Sequence, residues 1–389
     1  MILAALRAPL ATIIVMLLSM LAMACLALGI AAPASARPLI DCPLRNEPYS
    51  IDSPLIDILL NPAAKAAMDR ANPALLKDLP SFFGGTTVPT FSVILSVRKA
   101  AAWRNVPPEA LVTVDRALRA VPLTATDKAA RCARYDIAPQ PLALPPGKPR
   151  LLLFEKMTGF RDDPSVAAGH ALFVDMARRN GWALVVTDKG GAITRANLRH
   201  FDAVIWNNVS GDVLTLRQRA VFKAYMERGG GFVGVHGTGG DPVYFWDWYT
   251  DALLGARFIG HPMAPQFQDA RIAIEATPGG IGQDLAPGWT MKDEWYSFRA
   301  SPRLNGASVI ATLDEASYAP GELHMGDHPI AWTRCVGDGR SFYSAIGHMP
   351  ATYADLHYVR LLEQAVSWAA GTGKTICRAG KQVAARPGS

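Results

Sequence analysis

The stretch Gly229-Gly230-Gly231-Phe232-Val233-Gly234-Val235-His236-Gly237-Thr238-Gly239-Gly240 decides how the chain is read. Phe232, Val233 and Val235 supply the apolar, partly β-branched character of a short buried strand. Gly234, Gly237, Gly239 and Gly240 allow positive φ and close approach of other groups. The pattern predicts a strand running into a sharp turn with one imidazole, His236, at its apex. In a parallel sheet, such a turn delivers its side chain to the crevice at the carboxyl ends of the strands. The plain alternative is a structural histidine, but glycines this dense favour a position that something else approaches closely.

On either side of this stretch the chain alternates strands and helices. Residues 151–155, 182–187 and 203–206 are apolar runs of strand length, and residues 164–180 and 216–228 carry helical spacing stopped by Gly181 and Gly229. Apolar strands alternating with helices predict a doubly wound parallel α/β sheet. Beyond His236, an aromatic-rich segment from Tyr244 to Tyr249 is expected to open a helix. Residues 271–275 and 309–313 read as strands, and residues 330–336 and 341–346 as a hairpin across Gly337-Asp338-Gly339. Residues 353–369 form a closing helix. Polar groups follow four of these strands: Lys156 with the loop through Arg161, Asn207-Asn208, His236, and Gly347-His348. Their convergence on one sheet edge predicts a site more firmly than any single residue.

The remainder of the 389 residues divides around this unit. Residues 1–36 read as an export signal: Arg7, a long apolar run, and the small-residue cleavage site Ala34-Ser35-Ala36. The run is long enough for an uncleaved membrane anchor to stand as the alternative. Residues 37–138 read as a helical domain, with starts at Ser53-Pro54, Asn61-Pro62, Asn72-Pro73, Pro107-Pro108 and Thr126-Asp127. It contains no histidine, which favours a packing, lid or docking role. Residues 139–149 are a proline-rich linker, residues 150–371 the α/β domain, and residues 372–389 a tail. The net charge is +6 with scattered Lys and Arg, so no nucleic-acid partner is expected. Once the signal is removed, Cys42, Cys132, Cys335 and Cys377 remain. An even number in an exported chain predicts two disulfides. Three pairings are open; Cys42–Cys132 with Cys335–Cys377 is expected, because each pair then brackets one end of a domain. A periplasmic or secreted location follows.

Several short motifs in fixed order resemble the ThuA family: Thr158-Gly159-Phe160-Arg161, Val235-His236, Gly260-His261-Pro262, Asp293-Glu294-Trp295-Tyr296, His328-Pro329-Ile330-Ala331-Trp332, and Gly339-Arg340-Ser341-Phe342-Tyr343 leading to Gly347-His348. The resemblance covers residues 150 to about 371. It implies a flavodoxin-like fold of the class I glutamine amidotransferase type and a function in the metabolism of trehalose, related disaccharides and their 3-keto derivatives. The family often has histidine after Gly-Phe-Arg; here the residue is Asp162, so no imidazole role carries over to that position.

His236, Glu294 and His348 are the candidate catalytic groups, since imidazoles and a carboxylate supply acid and base near neutral pH. Arg161, Asn208, His261 and Tyr296 are candidate contacts to a small carbohydrate substrate. His236, His261, Glu294 and His348 are equally a mixed nitrogen and oxygen set for a divalent metal, although no tight ligand spacing marks one. His324 and His328 form a weaker pair, and Asp293-Glu294 has a plain alternative as a solvated strand-edge pair. No cysteine lies at the elbow, which excludes a cysteine hydrolase. A non-catalytic sugar-binding module is the alternative function. Self-association is left open by the sequence.

Overall fold

The computed structural model describes residues 40–77, 79–275, 280–373 and 375–384, so the expected signal segment lies outside the described residues. One nine-stranded sheet dominates, in the order β2-β1-β3-β4-β11-β10-β9-β6-β7. These strands are β1 (Arg150–Phe154), β2 (Ala183–Thr187), β3 (Ala203–Asn207), β4 (Gly231–Val235), β6 (Phe267–Ile274), β7 (Gly288–Glu294), β9 (Ser308–Asp314), β10 (Pro329–Val336) and β11 (Gly339–Ser344). A short pair, β5 (Phe258–Gly260) and β8 (Ser297–Phe298), stands apart. The first five strands of the order run parallel.

The parallel half follows from its sequence. Every residue of β3 and β4 is buried, as expected for strands covered on both faces. The crossover helices Asp163–Asn180 and Leu216–Glu227 start at side-chain caps, Asp162 and Thr215. The first ends at Gly181, whose φ of 67° is the left-handed stop expected there.

The other half contains the expected hairpin, β10 and β11, but is more extensively antiparallel than the doubly wound expectation. Strands β10, β9, β6 and β7 are antiparallel neighbours. Strand β7 was absent from the sequence expectation, and β6 begins four residues before the expected start. Although β7 lies at the far edge of the sheet order, Asp293 at its end accepts N–H bonds from Gly347, His348 and Met349, just beyond β11. The antiparallel half therefore curls back, bringing the end of β7 to the carboxyl end of the parallel half. The aromatic segment also differs: Tyr244 sits in a loop, its hydroxyl accepting the Asp241 N–H, and a π-helical turn runs only from Trp248 to Leu254.

Residues 40–138 contain the helices Leu55–Leu59, Pro62–Ala71, Val97–Trp103, Pro108–Arg119 and Ala125–Cys132. The start expected at Asn72-Pro73 is a turn instead. This region packs on the α/β layers: the Tyr135 hydroxyl donates to Asp212 at 2.8 Å, and the Leu216 N–H donates to the Asp41 carbonyl. The proline-rich stretch is held as well, since Gln140 meets Thr187 and Asn197. Cys42 is bonded to Cys132 and Cys335 to Cys377. The second bond fastens a hairpin of β12 (Thr375–Arg378) and β13 (Lys381–Ala384), within the segment expected to be a tail.

Candidate active site

His236 sits directly after β4 with φ 42°, a left-handed conformation that costs a non-glycine residue about 1–2 kcal/mol. Strain of this kind persists only where surrounding bonds impose it. Here the Gly237 N–H donates to Asn208 Oδ1 at 3.2 Å, and the Tyr343 hydroxyl donates to the His236 carbonyl at 2.9 Å. Two glycines of the turn serve close approach. A Cβ on Gly239 would lie 2.5 Å from the Tyr343 ring, and one on Gly240 would lie 2.5 Å from the Tyr296 ring. The elbow is as the sequence predicts, but its side chain is only 5 % exposed and so does not project into an open crevice.

His236 Nδ1 lies 2.8 Å from the Ala345 carbonyl. A carbonyl only accepts, so Nδ1 donates and Nε2 is the ring nitrogen turned towards the site. Nε2 lies 2.9 Å from the Tyr296 hydroxyl and 3.5 Å from Glu294 Oε2. His261 repeats the arrangement: Nδ1 donates to the Pro262 carbonyl at 3.1 Å, and Nε2 lies 3.2 Å from Glu294 Oε1. His348 Nδ1 lies 2.9 Å from Glu294 Oε2. One buried carboxylate thus meets three imidazoles, with Gln266 Nε2 donating to Oε1 at 2.5 Å. The His261 and His348 side chains keep 21 % and 13 % of their surface exposed, so the site opens on their side.

Burial works against ionising Glu294, but the imidazoles of His236, His348 and His261 around it outweigh that penalty. Its carboxyl is held well below the usual range. Burial likewise opposes a charge on His348, yet the Glu294 carboxylate, with Asp162 and Asp293 beyond it, raises its pKa.

Asp293 and Glu294, adjacent in sequence, are both buried, so they are not a solvated strand-edge pair. Asp293 receives backbone N–H bonds from Glu294, Gly347, His348 and Met349, and the Thr352 hydroxyl. It orients the loop that carries His348.

The structure brings His236, His261, Glu294, Tyr296 and His348 together. Asn208 lies behind the elbow, donating to Asn207 and Tyr353 and accepting from Gly237. Arg161 is exposed and paired with Asp163 at 2.5 Å. Asp162 caps the following helix through the Ser165 N–H. His324 is exposed and His328 is buried elsewhere, so they do not form one site. Sequence reasoning missed Gln266, and Phe267, whose ring lies 5.1 Å from that of His348. Both precede or open a strand whose start was misplaced; the signal available was their place four and five residues after Pro262.

The family profile described as trehalose utilisation, ThuA, matches residues 150–369. The chain belongs to the ThuA family. Solved structures similar to it include a ThuA-like protein from Bacteroides uniformis, 23% identical, covering 57% of this chain and 90% of that one with a TM-score of 0.49. Another is a ThuA-like protein from Parabacteroides merdae, 15% identical, covering 60% and 92% with a TM-score of 0.46. A third, from Salmonella typhimurium and described as a cytoplasmic protein, is 12% identical, covering 57% and 99% with a TM-score of 0.40. No curated protein matches the chain.

The donor set of this ThuA domain also suits a divalent cation. The candidate ligand atoms of His236, Glu294 and His348 all lie within 4.8 Å of one another. Four-coordinate bonds of about 2.0–2.1 Å place neighbouring ligands about 3.3 Å apart, and the imidazole-to-Glu294 distances run from 2.9 to 3.5 Å. Nδ1-to-carbonyl bonds fix the rings of His236 and His261 as metal-bound imidazoles are usually fixed.

Proposed function

We propose that this protein is an exported carbohydrate-active enzyme, acting on a disaccharide or its 3-keto derivative through His236, Glu294 and His348. The observation that carries the reading is the single buried carboxylate shared by three imidazoles at the end of a strained strand-to-turn elbow. His236 Nε2 is positioned to take or give a proton, Glu294 orients the imidazoles around it, and His348 is the acid–base partner nearer the opening. His261 and Tyr296 orient the sugar. The parallel strand order 2-1-3-4 with a fifth strand beside β4 supports a flavodoxin-type sheet, which places ligands at this edge. Two disulfides support a location outside the cytoplasm, periplasmic or secreted.

A second reading is favoured by the ring orientations of His236 and His261. There, His236, Glu294 and His348, with His261 adjacent, hold a divalent cation that polarises a sugar carbonyl or hydroxyl. The test incubates the mature protein with trehalose and a 3-keto disaccharide, with and without prior chelation, and follows product formation and bound metal. Turnover lost in His236→Ala supports the enzyme; turnover lost on chelation and restored by metal supports the cation reading. Sugar binding with no turnover under any of these conditions replaces both with the non-catalytic binding module.

A further inference from the structure

The site does not end at His348. The Phe160 ring lies 6.1 Å from the His348 ring and 5.2 Å from Phe91. Phe91 lies 5.0 Å from Phe83 and 5.6 Å from Phe82, and Phe83 lies 5.5 Å from Trp103. Phe82, Phe83, Phe91 and Trp103 all belong to the region before residue 150, outside the matched ThuA domain.

Phe83 and Phe91 are half-buried and rest on the apolar cluster of the helical region, but the three rings beside them are not packed as a core is packed. Phe82, Trp103 and Phe160 are 57 %, 43 % and 39 % exposed, whereas Trp206, Phe222 and Tyr249, which form a comparable aromatic stack inside the sheet layers, are 3 %, 0 % and 5 % exposed. Leaving such apolar area in water forfeits the gain from burial, so a connected row of half-open rings beginning at a polar site has the composition of a ligand surface. Polar groups accompany it: Thr86 and Thr87 are exposed in the loop after Phe83, and the Lys99 ammonium lies 5.6 Å from the Trp103 ring centre.

The occupant that fits both the rings and the neighbouring imidazoles is a saccharide. A pyranose presents a face of C–H groups to an aromatic ring and directs its hydroxyls outward to hydrogen-bond partners. We infer that Phe160, Phe91, Phe82 and Trp103 form a binding track for a glycan of more than two sugar rings, which enters the His236–Glu294–His348 site by its end. The inference rests on the carbohydrate reading of that site. It gives the helical region a role in substrate selection, by chain length.

The test measures binding of glucose, maltose and maltotetraose by tryptophan fluorescence and calorimetry, in the otherwise intact mature chain carrying His236→Ala so that no turnover intervenes. Affinity should rise from glucose to maltotetraose. Phe160→Ala should weaken maltose and maltotetraose, while Trp103→Ala and Phe82→Ala should weaken only maltotetraose, each by roughly three- to tenfold, the scale of one aromatic contact. Trp103→Phe should restore most of the loss. Equal affinity for all three sugars, or equal losses for every sugar in every variant, overturns the track. The two readings fail separately. Loss of the chain-length gradient with His236-dependent turnover intact removes the track alone. Full turnover in His236→Ala with the gradient intact removes the catalytic assignment alone.

Discussion

Two histidine–carboxylate clusters lie within the same domain, and their difference separates a scaffold from a site. Around His328, Nδ1 lies 2.7 Å from Glu315 and 3.3 Å from the Tyr318 hydroxyl, and Nε2 donates to the Tyr296 carbonyl at 2.9 Å. Around His236, the same residue types recur as Glu294 and Tyr296. Both histidines are buried, so burial does not distinguish them. The other donors do. Glu315 also accepts the Met325 and Gly326 backbone N–H groups, so its charge is spent holding a loop. Among the described residues, the Glu294 carboxylate is met by side chains alone, three of them imidazoles. A carboxylate fixed by amides is inert; one fixed by titratable rings can exchange protons or bind a cation.

The sharpest way to break this contrast is His236→Ala beside His328→Ala. His236→Ala should lower sugar turnover by about 10²–10⁴-fold. Because its ring is buried and bonded, the variant should also lose about 1–3 kcal/mol of stability. Glu294→Gln should match it in rate and combine less than multiplicatively with it. His328→Ala should lose about 1–3 kcal/mol by chemical unfolding, since it strands Glu315 and the Tyr296 carbonyl, while turnover per folded molecule stays within a few-fold of the parent. Equal turnover losses in both histidine variants would erase the distinction.

Next in size is metal uptake. Zinc or manganese added to the chelated protein should raise the melting temperature of the parent and of His328→Ala but not of Glu294→Gln, by mass action on the folded state. A shift that survives Glu294→Gln would move the cation elsewhere.

The smallest effect is electrostatic. The His348 pKa is raised, so its stabilising contribution is complete below the unfolded value of about 6.5 and fades as pH climbs through the folded value. Glu294 is lowered, so its share is present above about 4.3 and is lost as pH falls further. The melting-temperature gap between the parent and His348→Gln should therefore be widest between these values and narrow on the alkaline side. A gap that is constant from pH 5 to 9 would mean that His348 carries no such charge.

What could be read in the sequence follows from which forces act locally. Strands β1, β3 and β4 were legible because both faces are buried, making each a continuous apolar run. His236 was legible because its turn needs glycine on both sides. Strand β7 was hidden because its final residues, Asp293 and Glu294, are charged yet buried; only partners distant in sequence make that tolerable. The bonds of Asn208 were hidden for a related reason: an amide after a strand resembles a ligand contact, and nothing local shows that it meets Gly237 and Tyr353. The two disulfides are those expected from the way each pair brackets a segment.

The Asp293 clasp has a mechanical consequence. Its carboxylate grips the amides of Gly347, His348 and Met349, and the next residue along is the carboxylate that the imidazoles share. The far edge of the sheet and the loop bearing His348 are thus tied through one peptide unit with no slack between them. Neither can swing out while the other stays, so they should open as a single cooperative unit. Hydrogen exchange at those three amides would then serve as a gauge of whether the whole site is assembled, readable without any substrate.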